Sequence, residues 1–252
     1  MEIHDVSEYV TWNIPRPEFY IQDILPKQGV MLLYGEPKVK KSWLAQFMAF
    51  CVSLGEPCIG FSTTQARTFL GNFEISAHAQ AWRLKDMAEH FTLQEQMLYE
   101  GTHVLMYLNE TEQFNQFRAL MRVLLPKVIV LDCLAMCFSG DENNGEQMAQ
   151  FIGNMATLKE ELDCSLIIVH HSNKNQLASS SVDRARGHSR LTGWVDSLVY
   201  MVSQPSGVQL QIKARQATRE IPNINIQFHD YIWTLRGAQT ATVTQTPAVV
   251  TE

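Results

Sequence analysis

"MLLYGEPKVKKSWLAQFM", residues 31–48, decides how the rest of the chain is read. An apolar run, "VMLLY" (30–34), leads into the loop "GEPKVKKS" (35–42). The loop opens a helical pattern, "KSWLAQFMAFCVSLG" (41–55), which Gly55 closes. Strand, loop and helix in that order are the context a phosphate-binding loop requires. Against the pattern G-x-x-x-x-G-K-[ST], Gly35 supplies the first glycine, Lys41 the lysine and Ser42 the hydroxyl. Lys40 stands where the second glycine belongs. In such a loop, successive backbone N–H groups surround the β-phosphate and the helix N-terminus adds partial positive charge. Lys41 then bridges the β- and γ-oxygens and Ser42 holds Mg²⁺. Helical dihedrals at position 40 would tolerate a Cβ, and a second ammonium there would favour an anion.

Working outward, apolar runs alternate with helical patterns, which predicts an α/β fold with a mainly parallel sheet flanked by helices. "RTFLGNFE" (67–74) reads as a second strand and "AHAQAWRLKDMAEHF" (77–91) as a helix. "HVLMYLN" (103–109) is a weaker strand pattern, and "TEQFNQFRALMRVLL" (111–125) is helical. "KVIVLD" (127–132), "GEQMAQFIGNMATLKEELD" (145–163) and "CSLIIVHH" (164–171) read as strand, helix and strand. After the polar segment 172–190 come "DSLVYMVS", "VQLQIKAR" and "INIQFHDYIWTL", an antiparallel extension joined by tight turns. Residues 1–20 form an N-terminal extension, 21–236 the ATPase domain, and the Thr-rich tail 237–252 is expected to be disordered.

The 252 residues carry a formal net charge of -6, which argues against an indiscriminate polyanion binder while leaving room for a local basic loop. Five cysteines, Cys51, Cys58, Cys133, Cys137 and Cys164, form no C-x-x-C pair and read as free thiols of a reducing compartment. No secretory signal and no bilayer-spanning run is visible. A soluble cytoplasmic protein with no membrane partner is expected.

Three further positions suit nucleotide chemistry. Asp132 tips an apolar strand expected to neighbour the phosphate loop, the arrangement in which a carboxylate holds a Mg²⁺-bound water. Glu74 ends the second strand and, at the carboxyl end of a parallel strand, faces the ligand crevice as a water-orienting group. His170 and His171 end "LIIVHH" and must face opposite ways, so one reaches the crevice; His171 is the expected γ-phosphate or water sensor.

With these residues in place, the chain from about Pro17 to Leu235 resembles RecA-fold ATPases of the plasmid RepA type, which are hexameric replicative helicases, and their phage and genomic relatives. "PEFYIQDILPKQGVMLLYGEPKVKKSWLAQFMA" is similar to their first strand and phosphate loop. "VLDCLAMCFSGDENNGEQMAQFIGNMATLKEELDCSLIIVHHSNK" resembles their Walker B strand, Gly-Asp-Glu-Asn loop, helix and His-His strand. "RARGHSRLTGWVDSLVYM" is similar to their next motif. The resemblance implies ATP on the loop residues Gly35, Glu36, Pro37, Lys38, Val39 and Lys40, and on Lys41, Ser42 and Trp43. It implies Mg²⁺ at Ser42 and Asp132, Glu74 as catalytic carboxylate and His171 as sensor. It also implies a trans element, Lys213 and Arg215, reaching the γ-phosphate of a neighbour in a homo-oligomeric ring or filament. The glycine-rich turn that often follows that element is absent, since "QATRE" stands there. In this fold the basic segment 172–190, with Lys174, Arg184, Arg186 and Arg190, would lie toward the ring axis and track single-stranded DNA without reading sequence.

The leading expectation is therefore a DNA-dependent ATP-hydrolysing motor. A recombination or repair accessory ATPase that does not unwind, and a nucleotide-gated binding protein with a degenerate loop, are the alternatives.

Overall fold

The computed structural model describes residues 4–13, 16–102, 106–171, 189–217 and 219–237. In chain order its elements are α1 (Val6–Tyr9), β1 (Phe19–Ile21), β2 (Leu25–Pro26), β3 (Val30–Gly35), α2 (Lys41–Leu54), β4 (Thr68–Asn72) and α3 (Ala77–Ala88). Then follow β5 (Leu98–Thr102), α4 (Thr111–Leu124), β6 (Val128–Asp132), α5 (Gly145–Leu162), β7 (Ser165–His171) and α6 (Ser189–Trp194). The chain closes with β8 (Ser197–Gln204), β9 (Gly207–Ala214), β10 (Ile224–His229) and β11 (Ile232–Leu235). The expected tail, 237–252, lies outside the described residues beyond Gly237.

Nine of the described strands form one sheet in the order β11-β10-β9-β8-β3-β7-β6-β4-β5. Pairings from β8 through β5 are parallel, and β9, β10 and β11 add antiparallel strands at the far side. This is the mainly parallel, helix-flanked sheet with an antiparallel C-terminal extension expected of a RecA-like P-loop fold. One detail differs: β8 runs parallel to β3, so the antiparallel part begins at β9.

Side-chain alternation splits the core into two layers. Met31 and Leu33 of β3 and Ile167 and Val169 of β7 face α2 and α3; Val30, Leu32, Leu166 and Ile168 face α4 and α5. Helix α2 is buried nearly all round, down to Phe47 and Phe50. The β10–β11 hairpin explains this, because Trp233 and Phe228 cover its outer side. Gly55 ends α2 at φ 75°, a left-handed C-cap that glycine adopts without a Cβ penalty.

Three local expectations are corrected. Of the weak strand expected at 103–109, the described residues 106–109 form no strand, and an edge strand lies at Leu98–Thr102; its residues Leu-Tyr-Glu-Gly-Thr are half-exposed and carry no apolar run. Residues 103–105 of the expected strand lie outside the described residues. The run "INIQFHDYIWTL" holds two strands, because Asp230 and Tyr231 both adopt positive φ (49° and 64°) and make a two-residue hairpin turn. Of the polar segment 172–190, residues 172–188 lie outside the described residues, and Ser189 and Arg190 are helical, beginning α6.

Candidate active site

Sheet register carries the site's residues to one edge. Gly35 pairs with His171 and Met201, and Asn72 pairs with Asp132. The carboxyl ends of β3, β7, β6 and β4 therefore finish side by side, where ligands bind in open α/β sheets. The expectation that the Asp132 strand directly neighbours the phosphate loop is corrected: β7 lies between β3 and β6. A cavity of about 300 Å³ opens there, lined by Lys38, Lys40, Lys41, Ser42, Trp43, Glu74, Arg83 and His171.

The loop is built by backbone constraints. A Cβ on Gly35 would stand 2.6 Å from the Met201 carbonyl oxygen, so only glycine fits beside β8. Glu36, Pro37 and Lys38 are exposed, while Val39 is buried and anchors the loop from below. Lys40 is left-handed, at φ 67° and ψ 35°, and Lys38 also has positive φ. The helical dihedrals under which a Cβ at position 40 would be tolerated are thus not those the loop adopts. The loop asks of Lys40 what it normally asks of glycine, at a cost of roughly 1–2 kcal/mol for the Cβ. The Lys40 ammonium sits 4.4 Å from the centre of the Phe228 ring, a cation–π contact that offsets part of that cost.

Lys41 is buried at 4% exposure and its Nζ donates to the carbonyls of Gly35 (3.0 Å) and Glu36 (2.9 Å). Burial lowers its pKa to about 8, opposed by the nearby acidic groups. Ser42 Oγ donates to Asp132 Oδ1 at 3.1 Å. Asp132 is 3% exposed, and burial pushes its pKa up to about 7 against the Ser42 hydrogen bond and the charges of Arg83 and Lys41. The oxygen donors Ser42 and Asp132, with Asp132 desolvated and close to Lys41, suit a Mg²⁺ bound through oxygens and waters.

Glu74 is not the last residue of its strand. β4 stops at Asn72, and Glu74 lies two residues beyond. The buried Asn72 side chain explains its position: Oδ1 accepts from the backbone N–H of Glu74 (3.2 Å) and Ile75 (3.1 Å). Its Nδ2 donates to Ile75 O and Thr102 Oγ1. This turn directs Glu74 toward β7, where its Oε2 lies 3.8 Å from His171 Nε2. Burial, then the charge of Lys41, lowers the pKa of His171. His170 points to the opposite face, is buried, and lies 3.8 Å from Glu142.

Sequence reasoning missed Arg83. It stands on α3, its guanidinium 4.9 Å over the Trp43 ring, and faces the same cavity as Lys41 and Glu74. Gln80, one turn earlier on that helix, is buried and accepts a hydrogen bond from Gln46 of α2 at 3.1 Å, which fixes the face α3 presents. No local motif or period marks Arg83, because its place at the cavity depends on how α3 packs against α2.

Lys213 and Arg215 do not line this cavity. Lys213 is an exposed residue of β9; Arg215, just past that strand, is exposed and donates to the Gly193 carbonyl of α6. Of the basic segment, Lys174, Arg184 and Arg186 lie outside the described residues. Arg190 is exposed on α6, its guanidinium beside Gly145 at the start of α5.

A phosphate loop at the end of β3, an acid on the next strand but one, and a carboxylate beyond β4 define a P-loop nucleotide-binding protein of the ATPase class. The family model of the AAA domain matches residues 2–177, and the chain belongs to that family. No curated protein matches the chain. No helix among the described residues is long and apolar enough to cross a membrane.

Proposed function

We propose that the protein hydrolyses ATP as a ring-forming or filament-forming motor on single-stranded DNA. The hydrolytic part of this reading is carried by one observation: Lys41, Ser42 with Asp132, Glu74 and His171 converge on one cavity from four adjacent strand ends. Lys41 leaves its two carbonyl partners for the β- and γ-phosphate oxygens, exchanging neutral acceptors for charged ones. Ser42 and Asp132 would hold Mg²⁺, which when bound neutralises charge on the phosphates. Glu74, fixed by Asn72, orients the attacking water in line with the γ-phosphate, and His171 senses whether that phosphate is there. Arg83 stabilises the charge that spreads over the γ-phosphoryl oxygens, held in place by its stacking on Trp43.

The motor part rests on two supports, the resemblance to RepA-type helicases and the location of Lys213 and Arg215. Both cations are exposed and away from their own cavity, as a pair acting on a neighbour's γ-phosphate must be. The basic residues Lys174, Arg184, Arg186 and Arg190 would then contact the DNA backbone. The test is ATP turnover by the assembled protein with and without single-stranded DNA, at low and moderate salt. Stimulation that weakens with salt is expected. Turnover that DNA leaves unchanged at both salts overturns the motor reading and leaves the ATPase one standing.

A further inference from the structure

Three adjacent strand ends also bring together a carboxylate, a thiol and an imidazole. Glu74 follows β4, Cys133 follows β6 and His171 ends β7; one ligand atom from each lies within 4.8 Å of the other two. Within that group Glu74 Oε2 is 3.8 Å from His171 Nε2. Neither the phosphate loop nor the proposed hydrolysis has any use for a cysteine here.

The donor set is what matters. Mg²⁺ takes oxygen ligands and has no affinity for a thiol, and it is served by Ser42 and Asp132. Sulfur, imidazole nitrogen and carboxylate oxygen together are the ligands of Zn²⁺. Tetrahedral Zn²⁺ with bonds of roughly 2.0–2.3 Å needs ligand atoms about 3.4 Å apart, so separations of up to 4.8 Å must close to that. Glu74 and His171 are partly exposed and free to supply that movement, while Cys133 is buried at the floor. The charges favour it in part. A thiolate and a carboxylate neutralise the ion; the cations on the same cavity, Lys38, Lys40, Lys41 and Arg83, oppose it. Lys41 Nζ, the nearest to the loop's floor, is directed at the Gly35 and Glu36 carbonyls.

We infer that Glu74, Cys133 and His171 form an inhibitory site for Zn²⁺ or a similar thiophilic divalent ion, distinct in ligands from the Mg²⁺ site beside it. Binding displaces the thiol proton to the buffer and leaves the fourth position for a water or a phosphate oxygen. The ion takes Glu74 out of its water-orienting role and leaves the phosphate loop intact. It therefore blocks hydrolysis while nucleotide still binds. That consequence rests on the water-orienting role proposed for Glu74; the binding itself does not.

The test is a Co²⁺ titration of the folded, nucleotide-free full chain, with Zn²⁺ as competitor. One equivalent should produce a sulfur-to-cobalt charge-transfer band, and Zn²⁺ should abolish it. Cys133→Ser should remove the band; Cys137→Ser, altering the neighbouring buried thiol, should keep it. His171→Gln, a surface-reachable change that spares folding if Cys133→Ser does not, should weaken Co²⁺ binding at least about tenfold, since even an outer-shell partner is worth that much. Absence of the band in the wild type, its persistence in Cys133→Ser, or unchanged affinity in His171→Gln overturns the site. Turnover is read separately, as the ratio with and without Zn²⁺ in each variant. A protein that binds Co²⁺ through Cys133 yet never hydrolyses ATP keeps the metal site and loses the function proposed for Glu74.

Discussion

Ser42 Oγ donates to Asp132 Oδ1 at 3.1 Å, joining the first turn of α2 to the end of β6 across the intervening strand β7. The bond closes the floor of the site and is the principal support of a carboxylate that burial otherwise holds near neutrality. The pH behaviour of the fold follows from it.

Burial raises the pKa of Asp132 in the folded protein to about 7, from an ordinary 3.8. A carboxyl with a raised folded pKa binds its proton more tightly in the native state, so its contribution to stability falls as pH rises through that window and is at its least above it. Asp132→Asn removes the effect. Urea denaturation of the Mg²⁺-free protein should show the variant gaining on the wild type as pH rises from about 4 to about 7. The gain is at most ~4 kcal/mol, at ~1.4 kcal/mol for each pH unit crossed. A difference that stays flat with pH contradicts the desolvated carboxyl.

Lys40 separates two effects. Lys40→Ala keeps the left-handed Cβ and loses the Phe228 contact; Lys40→Gly loses the contact and relieves the Cβ. Thermal or chemical melts should place the glycine variant above the alanine variant by about 1 kcal/mol, and the glycine variant should retain turnover. The reverse order would show that position 40 is not left-handed.

Arg83 reaches the cavity from α3 and is stacked on Trp43. Arg83→Ala should reduce turnover by roughly 10²-fold, the size of losing one donor to a developing charge. Arg83→Lys should recover little, because an ammonium cannot stack and fork as a guanidinium does. Full activity in Arg83→Lys would show that only the charge matters.

Asn72 acts through Glu74. Asn72→Ala leaves two backbone N–H groups without their partner at a half-exposed turn, a destabilisation of about 1 kcal/mol. In protein that remains folded, kcat should fall while KM for ATP changes little, because the phosphate loop is untouched. Equal loss in kcat and in nucleotide affinity would point to general collapse of the site.

How much of this was legible in the sequence depended on how local each signal is. The phosphate loop, Asp132 and His171 announce themselves through short strings at fixed offsets from buried strands. The end of the helix over 41–55 was legible because Gly55 closes it in a left-handed conformation. Strand β5 was hidden because an edge strand needs no apolar run, and the β10–β11 hairpin because its turn uses Asp230 and Tyr231 in place of Asn-Gly. Asn72, Arg83 and the Lys40–Phe228 contact depend on register and on packing between distant segments. Period and motif carry no trace of those relations. The backbone at Lys40 escapes a sequence reading for a related reason: the loop's geometry dictates a left-handed residue whichever side chain occupies it.

The most direct measurement is equilibrium binding and turnover of Mg²⁺-ATP by the wild type and by Lys41→Ala, with folding of both checked by circular dichroism. Saturable binding at one site per chain, with turnover that Lys41→Ala abolishes, is the predicted result. Folded wild-type protein that takes up no nucleotide, or a Lys41→Ala variant that hydrolyses as fast as the wild type, would contradict a phosphate site at the end of β3.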